Sequence, residues 1–154
     1  MAIIRIPLED INLNDPFFNS LRTDYPLFDE WFLRRVSHGD YAYVTYDYQG
    51  NLGSFLLLKI ESKDDYNSLD LDYYLGNKVL KISSFKVLNT HQGIGTSYID
   101  IINEVAMSRK VGLIYITVYP KYGYFIEFLE HHNYKRIGYK DKELVLKKLV
   151  RFGD

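Results

Sequence analysis

Two hydrophobic spacings alternate along the chain. Short β-branched or aromatic runs bounded by turn residues predict strands, and apolar positions three and four apart predict helices. Residues 2–6 are the first such run and stop at Pro7. Asn14-Asp15-Pro16 then opens a helical stretch, with Asn14 or Asp15 as N-cap ahead of the proline. Leu27, Phe28, Trp31, Phe32 and Arg35 mark a second helix, closed by His38-Gly39-Asp40. Strands at 41–46 and 52–60 flank a turn at 47–51 and predict an antiparallel hairpin, and residues 78–87 form a further strand. Beyond a loop, Ile94, Tyr98, Ile101, Ile102 and Val105 make the inner face of an amphipathic helix. Arg109 and Lys110 suit its C-terminal dipole and Gly112 can stop it. A buried-type strand at 113–119 ends at Pro120, and a helix follows with Phe125, Ile126 and Leu129 inward. Residues 134–139 and 143–150 close the chain as a hairpin around Lys140-Asp141-Lys142.

The predicted order is strand, two helices, three strands, helix, strand, helix and two strands. Antiparallel meanders thus surround one strand–helix–strand crossover, without internal repeat or linker. The expectation is a single mixed α/β (α+β) domain over residues 1–150. Residues 151–154 read as a tail or as the cut edge of a longer protein.

Composition narrows the chemistry. A chain of 154 residues can bury a sizeable core, and 47% apolar with 25% charged residues is globular composition. There is no cysteine, which excludes disulfides, thiolate metal sites and a cysteine nucleophile. No segment has the length of an export signal's apolar region or a membrane span, so a cytoplasmic protein without membrane contact is expected. The net charge of −1 conceals an asymmetry: residues 1–77 carry 6 basic and 13 acidic groups, residues 78–154 carry 13 and 7. A basic C-terminal half suits a polyanionic ligand, and an acidic N-terminal half suits a cation.

The segment Phe85-Lys86-Val87-Leu88-Asn89-Thr90-His91-Gln92-Gly93-Ile94-Gly95-Thr96 carries the clearest chemistry. It runs from strand through a glycine-bearing loop into a helix N-terminus, where unpaired N–H groups and the dipole accept a phosphate. Gly93 and Gly95 remove side chains that would hold an anion off the backbone. The loop is not a P-loop, because Thr96-Ser97 rather than Lys-Ser/Thr follows the last glycine. Nor is it a dinucleotide fingerprint, because Tyr98 stands where a third glycine or alanine belongs. A plain strand-to-helix turn needing two glycines is the competing reading.

With its neighbours, this loop resembles the cofactor motif of the GNAT superfamily of acyl-CoA-dependent N-acyltransferases, Gln/Arg-x-x-Gly-x-Gly/Ala. Here the six positions are Thr90-His91-Gln92-Gly93-Ile94-Gly95, so both glycines match and Thr90 replaces the leading residue. A second family motif after the fifth strand is matched by Tyr122, Phe125, Leu129, Asn133 and Tyr134. The chain is similar to a divergent member over residues 1–150, most sharply over 78–139. The resemblance implies a central mixed, mostly antiparallel sheet of about seven strands flanked by about four helices. It implies acetyl-CoA as co-substrate, with its pyrophosphate on the amides of Gln92, Gly93, Ile94, Gly95 and Thr96; His91, inside the loop, either aids phosphate binding through partial positive charge or faces solvent. The pantetheine arm would run beside Phe85, Lys86 and Val87, with Tyr122 and Phe125 on the far wall. Lys86 and Lys121 become candidates for the outer phosphates, each otherwise a surface lysine.

The resemblance names no catalytic group, because Leu129 stands where many relatives carry a general-acid tyrosine. Tyr119, Tyr122 and Tyr124 are substitutes, each otherwise a packing residue. His131-His132 point about 100° apart on a helix and make a poor chelate, so no metal is expected. The acidic stretch Glu61, Asp64, Asp65, Asp70 and Asp72 suits an amine acceptor, or is simply a solvated loop. The implied activity is acetyl transfer to a primary amine of a small molecule or protein. The alternative is a non-catalytic CoA-binding or protein-interaction module. With pI near 6.4 and no basic run, nucleic acid is not an expected partner, while an aromatic-rich edge is compatible with a homodimer.

Overall fold

A computed structural model describes residues 2–62, 78–88 and 93–150. Seven strands, β1 (Ile4–Pro7), β2 (Tyr41–Tyr46), β3 (Leu52–Ser62), β4 (Lys78–Val87), β5 (Leu113–Val118), β6 (Lys135–Lys140) and β7 (Glu143–Leu149), form one sheet. Their order is β1-β2-β3-β4-β5-β7-β6. Among the described residues four α-helices accompany them: α1 (Asn19–Asp24), α2 (Phe28–Ser37), α3 (Ile94–Ser108) and α4 (Gly123–His131). This is the mixed α/β architecture expected, and over the described residues the elements follow the order that the periodicity predicts. The β1–β2, β2–β3, β5–β7 and β6–β7 ladders are antiparallel. β4 and β5 are parallel, as a crossover through α3 requires.

The chain divides into two compact units, residues 1–57 with 84–94 and residues 58–83 with 95–154. In the first, the predicted helix at Asn14-Asp15-Pro16 begins as a short 3-10 turn, Pro16–Phe18, before α1. Asp15 is its cap: one carboxylate oxygen accepts from the Phe17 N–H at 2.9 Å, the other from the Leu52 N–H at 3.1 Å. That turn delivers Phe17 and Phe18 into a core with Leu8, Ile11, Phe28, Phe32, Ala42, Val44, Leu52, Phe55 and Leu57. The Phe18 ring meets Phe17, Phe32 and Phe55 edge-on at centroid distances of 5.3, 5.6 and 5.4 Å, a preferred aromatic geometry. α2 closes with His38, whose Nδ1 lies 2.7 Å from the Arg34 carbonyl, the helix-end role its position suggests.

In the second unit α3 buries Tyr98, Ile99, Ile102 and Ala106, while Ile101 and Val105, expected on the inner face, are half-buried because the buried stripe is turned toward Ile99 and Ala106. α4 buries Ile126 and Leu129, while Phe125 is only half-buried. Val79, Leu113, Tyr115 and Val145 form a cluster contributed by β4, β5 and β7. The β6–β7 hairpin turns at Asp141, whose φ of 53° is left-handed, a conformation a short polar side chain tolerates.

Candidate functional site

The strand-to-helix turn is built by two glycines with different jobs. Gly93 is exposed at φ +72°, where an L side chain is strained, and a Cβ placed there meets nothing within 4 Å. Open space faces the backbone at this point. Gly95 lies inside the first turn of α3, and a Cβ there falls 3.1 Å from Cζ of Phe128. Its smallness admits the aromatic ring of α4, which is a packing requirement rather than an anion cradle. Ile94 between them is 6% exposed and seats the turn, while Thr96 is exposed. The first turn of α3 holds no acidic residue. Its leading N–H groups have no intrahelical acceptor, and the helix dipole places partial positive charge there. Thr90, His91 and Gln92 lie outside the described residues.

Along β4, Phe85 and Val87 are half-buried. Ser84 on the same strand carries a hydroxyl sealed from solvent, without a hydrogen-bond partner among the described residues. A buried polar atom left unsatisfied is costly and calls for a reason. The β4–β5 ladder pairs Leu80 with Ile114 and Lys81 with Tyr115. β4 then runs on to Val87 and β5 to Val118.

The lysines expected at the outer phosphates are placed differently from one another. Lys86 donates to the Phe17 carbonyl and, at 2.8 Å, to the Ser20 hydroxyl, with its Nζ 4.5 Å over the Phe17 ring. Burial lowers its pKa. It anchors the N-terminal 3-10 turn, so the structure assigns it a packing partner where the motif suggested a phosphate. Lys121 is exposed and lies 5.2 Å from the Tyr122 ring and 5.9 Å from that of Tyr119.

On α4 the structure joins Phe125 to the turn through a residue the sequence reading passed over. Phe125 stacks on Phe128 at 6.3 Å, Phe128 fills the space beside Gly95, and His132 meets Phe128 edge-on at 4.7 Å. The (i, i+3) spacing of Phe125 and Phe128 was the available signal. His132 and His131 lie with ring planes at 89°. Burial first, then the charges of His131 and Lys148, lower the His132 pKa. Among the described residues no three His, Cys, Asp or Glu converge as a metal site would require.

For proton transfer, Tyr122 at 39% and Tyr124 at 93% exposure are solvent-facing, and Leu129 is fully buried. A different pair is buried together: the Tyr115 hydroxyl donates to Oε1 of Glu61, and Lys59 Nζ lies 3.5 Å from Oε2. Glu61, expected on an acidic rim, is 5% exposed. Asp64, Asp65, Asp70 and Asp72 of that stretch lie outside the described residues. Spacing could not have revealed this pair, because 54 residues separate its members.

No protein-family model matches the sequence, and no curated protein is similar to it. Solved structures are. Arabidopsis thaliana NAA60 in complex with a bisubstrate analogue superposes with a TM-score of 0.69 at 19% identity, over 97% of this chain and 99% of that one. Chaetomium thermophilum Naa20, also with a bisubstrate analogue, gives 0.66 at 17% identity, over 97% and 87%. A GNAT-family acetyltransferase from Staphylococcus aureus Mu50 gives 0.63 at 12%, over 97% and 100%.

The chain has the GNAT fold.

At these identities the likeness establishes the fold. NAA60 has also been crystallised with acetyl-CoA. No helix among the described residues is long and apolar enough to cross a membrane.

Proposed function

We propose that the chain binds acetyl-CoA and transfers its acetyl group to a primary amine of a small molecule or protein. The observation that carries this reading is the glycine turn into α3 of a GNAT fold, left-handed at Gly93 and with no acidic side chain in the first helical turn. The backbone amides of residues 92–96 hold the pyrophosphate. Residues 82–87 of β4 extend about 20 Å beyond the β5 ladder at the rise of a strand, which accommodates an extended arm. The Ser84 hydroxyl, without a hydrogen-bond partner among the described residues, suits an amide of that arm, and the half-buried Phe85 and Val87 supply apolar surface along it. Tyr122 and Lys121 stand at the N-terminus of α4 as outer contacts, whereas Lys86 is omitted because its ammonium is already bonded.

When bound, acetyl-CoA supplies an activated thioester. What the chain contributes is orientation, which makes the encounter effectively unimolecular. The rival reading, a binding module without turnover, is favoured by Leu129, an inert and fully buried side chain where relatives of the resembled family place an acid. Thermal unfolding with acetyl-CoA tests the first step. Linkage predicts stabilisation of about 2.7 kcal/mol at one hundred times Kd, and no shift at millimolar acetyl-CoA would refute it. Thiol release over a panel of amines then separates the enzyme from the module.

A further inference from the structure

Lys81 is a half-buried lysine placed where the β4–β5 ladder ends, in register with Tyr115. Its ammonium makes no ion pair or hydrogen bond among the described residues, unlike Lys86 and Lys59. The reason lies with its neighbour. Glu61 is the nearest buried carboxylate, but Tyr115 donates to one of its oxygens and Lys59 approaches the other. The negative charge that would have paired Lys81 is shared elsewhere. The charged groups around it are Glu61 and Lys59 from β3, Lys140 from β6 and Glu143 from β7, with the Tyr115 phenol from β5. Burial, the largest influence, lowers its pKa; Glu61 and Glu143 oppose this, and Lys140 and Lys59 reinforce it. An amine that is poorly solvated, unpaired and more readily deprotonated than an ordinary lysine is a nucleophile.

We propose that Lys81 is an acyl acceptor within the chain, taking the acetyl group from acetyl-CoA at the end of the ladder. This rests on the acetyl-CoA reading, which runs the arm along β4 toward that rung. The ammonium first releases a proton to water. The neutral ε-nitrogen adds to the thioester carbonyl, a C–N bond forms and the C–S bond breaks. CoA departs as thiolate and takes one of the two nitrogen-bound protons, leaving free CoA thiol and ε-N-acetyl-lysine, whose amide keeps the other. Glu61 acts through charge and is a positioning residue, because it favours the ammonium form that cannot react.

The test is incubation of the full chain with acetyl-CoA at pH 8, followed by peptide mass spectrometry and by thermal unfolding of the same sample. The expected result is one acetyl increment at Lys81 ahead of the exposed Lys140 and Lys142, and its loss in Lys81→Arg. Glu61→Gln should accelerate labelling of Lys81 at fixed pH and move its pH–rate profile to lower pH, which a purely structural Glu61 would not do. Should Lys81→Arg fail to fold, the site comparison within the unmodified sequence still decides. A thermal shift without preferential labelling of Lys81 overturns this inference and leaves the acetyl-CoA reading standing. Neither shift nor labelling overturns both.

Discussion

The two compact units solve the problem of a core with different chemistry. Residues 1–57 and 84–94 gather phenylalanines, and the polar groups beside them are answered: Asp15 by two backbone N–H groups, Thr45 by Ser54 at 2.6 Å, Lys86 by Phe17 and Ser20. Ser84 is the exception. Residues 58–83 and 95–154 rely on Ile, Leu and Val, yet seal in a carboxylate at Glu61, the Asn103 Oδ1 and the Tyr134 hydroxyl. Among the described residues the last two have no hydrogen-bond partner, and burial pushes the Tyr134 phenol well above its ordinary range. Unsatisfied buried polar atoms cost stability, so each unit carries such a cost, at Ser84 in the first and at Asn103 and Tyr134 in the second.

The comparison breaks most directly at Phe18. It is fully buried and touches three rings edge-on. Phe18→Ala should cost about 3–5 kcal/mol in urea unfolding, the range for a large aromatic cavity. A loss below 1 kcal/mol would mean that the rings do not act as one core.

Next in size is Tyr115→Phe. Removing the hydroxyl leaves Glu61 buried and short of a donor, at about 1–3 kcal/mol. The Tyr115→Phe/Glu61→Gln pair should be less destabilised than the sum of the single variants. Strict additivity in a double-mutant cycle would show that the two groups are not coupled.

Phe18 and Tyr115 also mark what the sequence could and could not tell. Among the described residues the seven strands and four helices are legible, because each is a local pattern: alternation, helical spacing, a proline after a cap. Gly93 and Gly95 were legible as a pair but not in their separate roles, since one answers to φ and the other to a ring 33 positions away. Lys86 read as a surface charge because nothing local signals the Phe17 carbonyl. Glu61 read as part of an acidic rim because its partner lies across β4 on β5. Local physics writes elements and turns; partnerships between distant side chains wait for the fold.

The glycines offer a smaller, sharper contrast. Gly93→Ala forces a Cβ into left-handed backbone, at about 1–2 kcal/mol, with open space around it. Gly95→Ala adds a Cβ 3.1 Å from a ring edge that can tilt, while helix propensity returns up to about 1 kcal/mol. Its net effect should stay within about 0.5 kcal/mol. Equal losses from the two variants would remove the distinction between a conformational and a packing glycine. In the presence of acetyl-CoA, Gly93→Ala should also lose most of the thermal shift.

The smallest effect belongs to His132, on the face of α4 that carries Phe128. Its ring packs against Phe128 and its pKa is lowered from the ordinary 6.5, first by burial and then by His131 and Lys148. Between that lowered value and 6.5 the unfolded chain binds the extra proton, so stability rises with pH across the window. The contribution is complete above 6.5 and is lost as pH falls through the folded value. His132→Gln should flatten this part of the stability–pH curve while leaving the plateau above it little changed. A slope that survives the substitution would assign the titration to another group. Because His132, Phe128 and Gly95 are linked by direct contact, a ligand bound at the start of α3 should shift the same titration. The histidine thus reports on the turn without taking part in it.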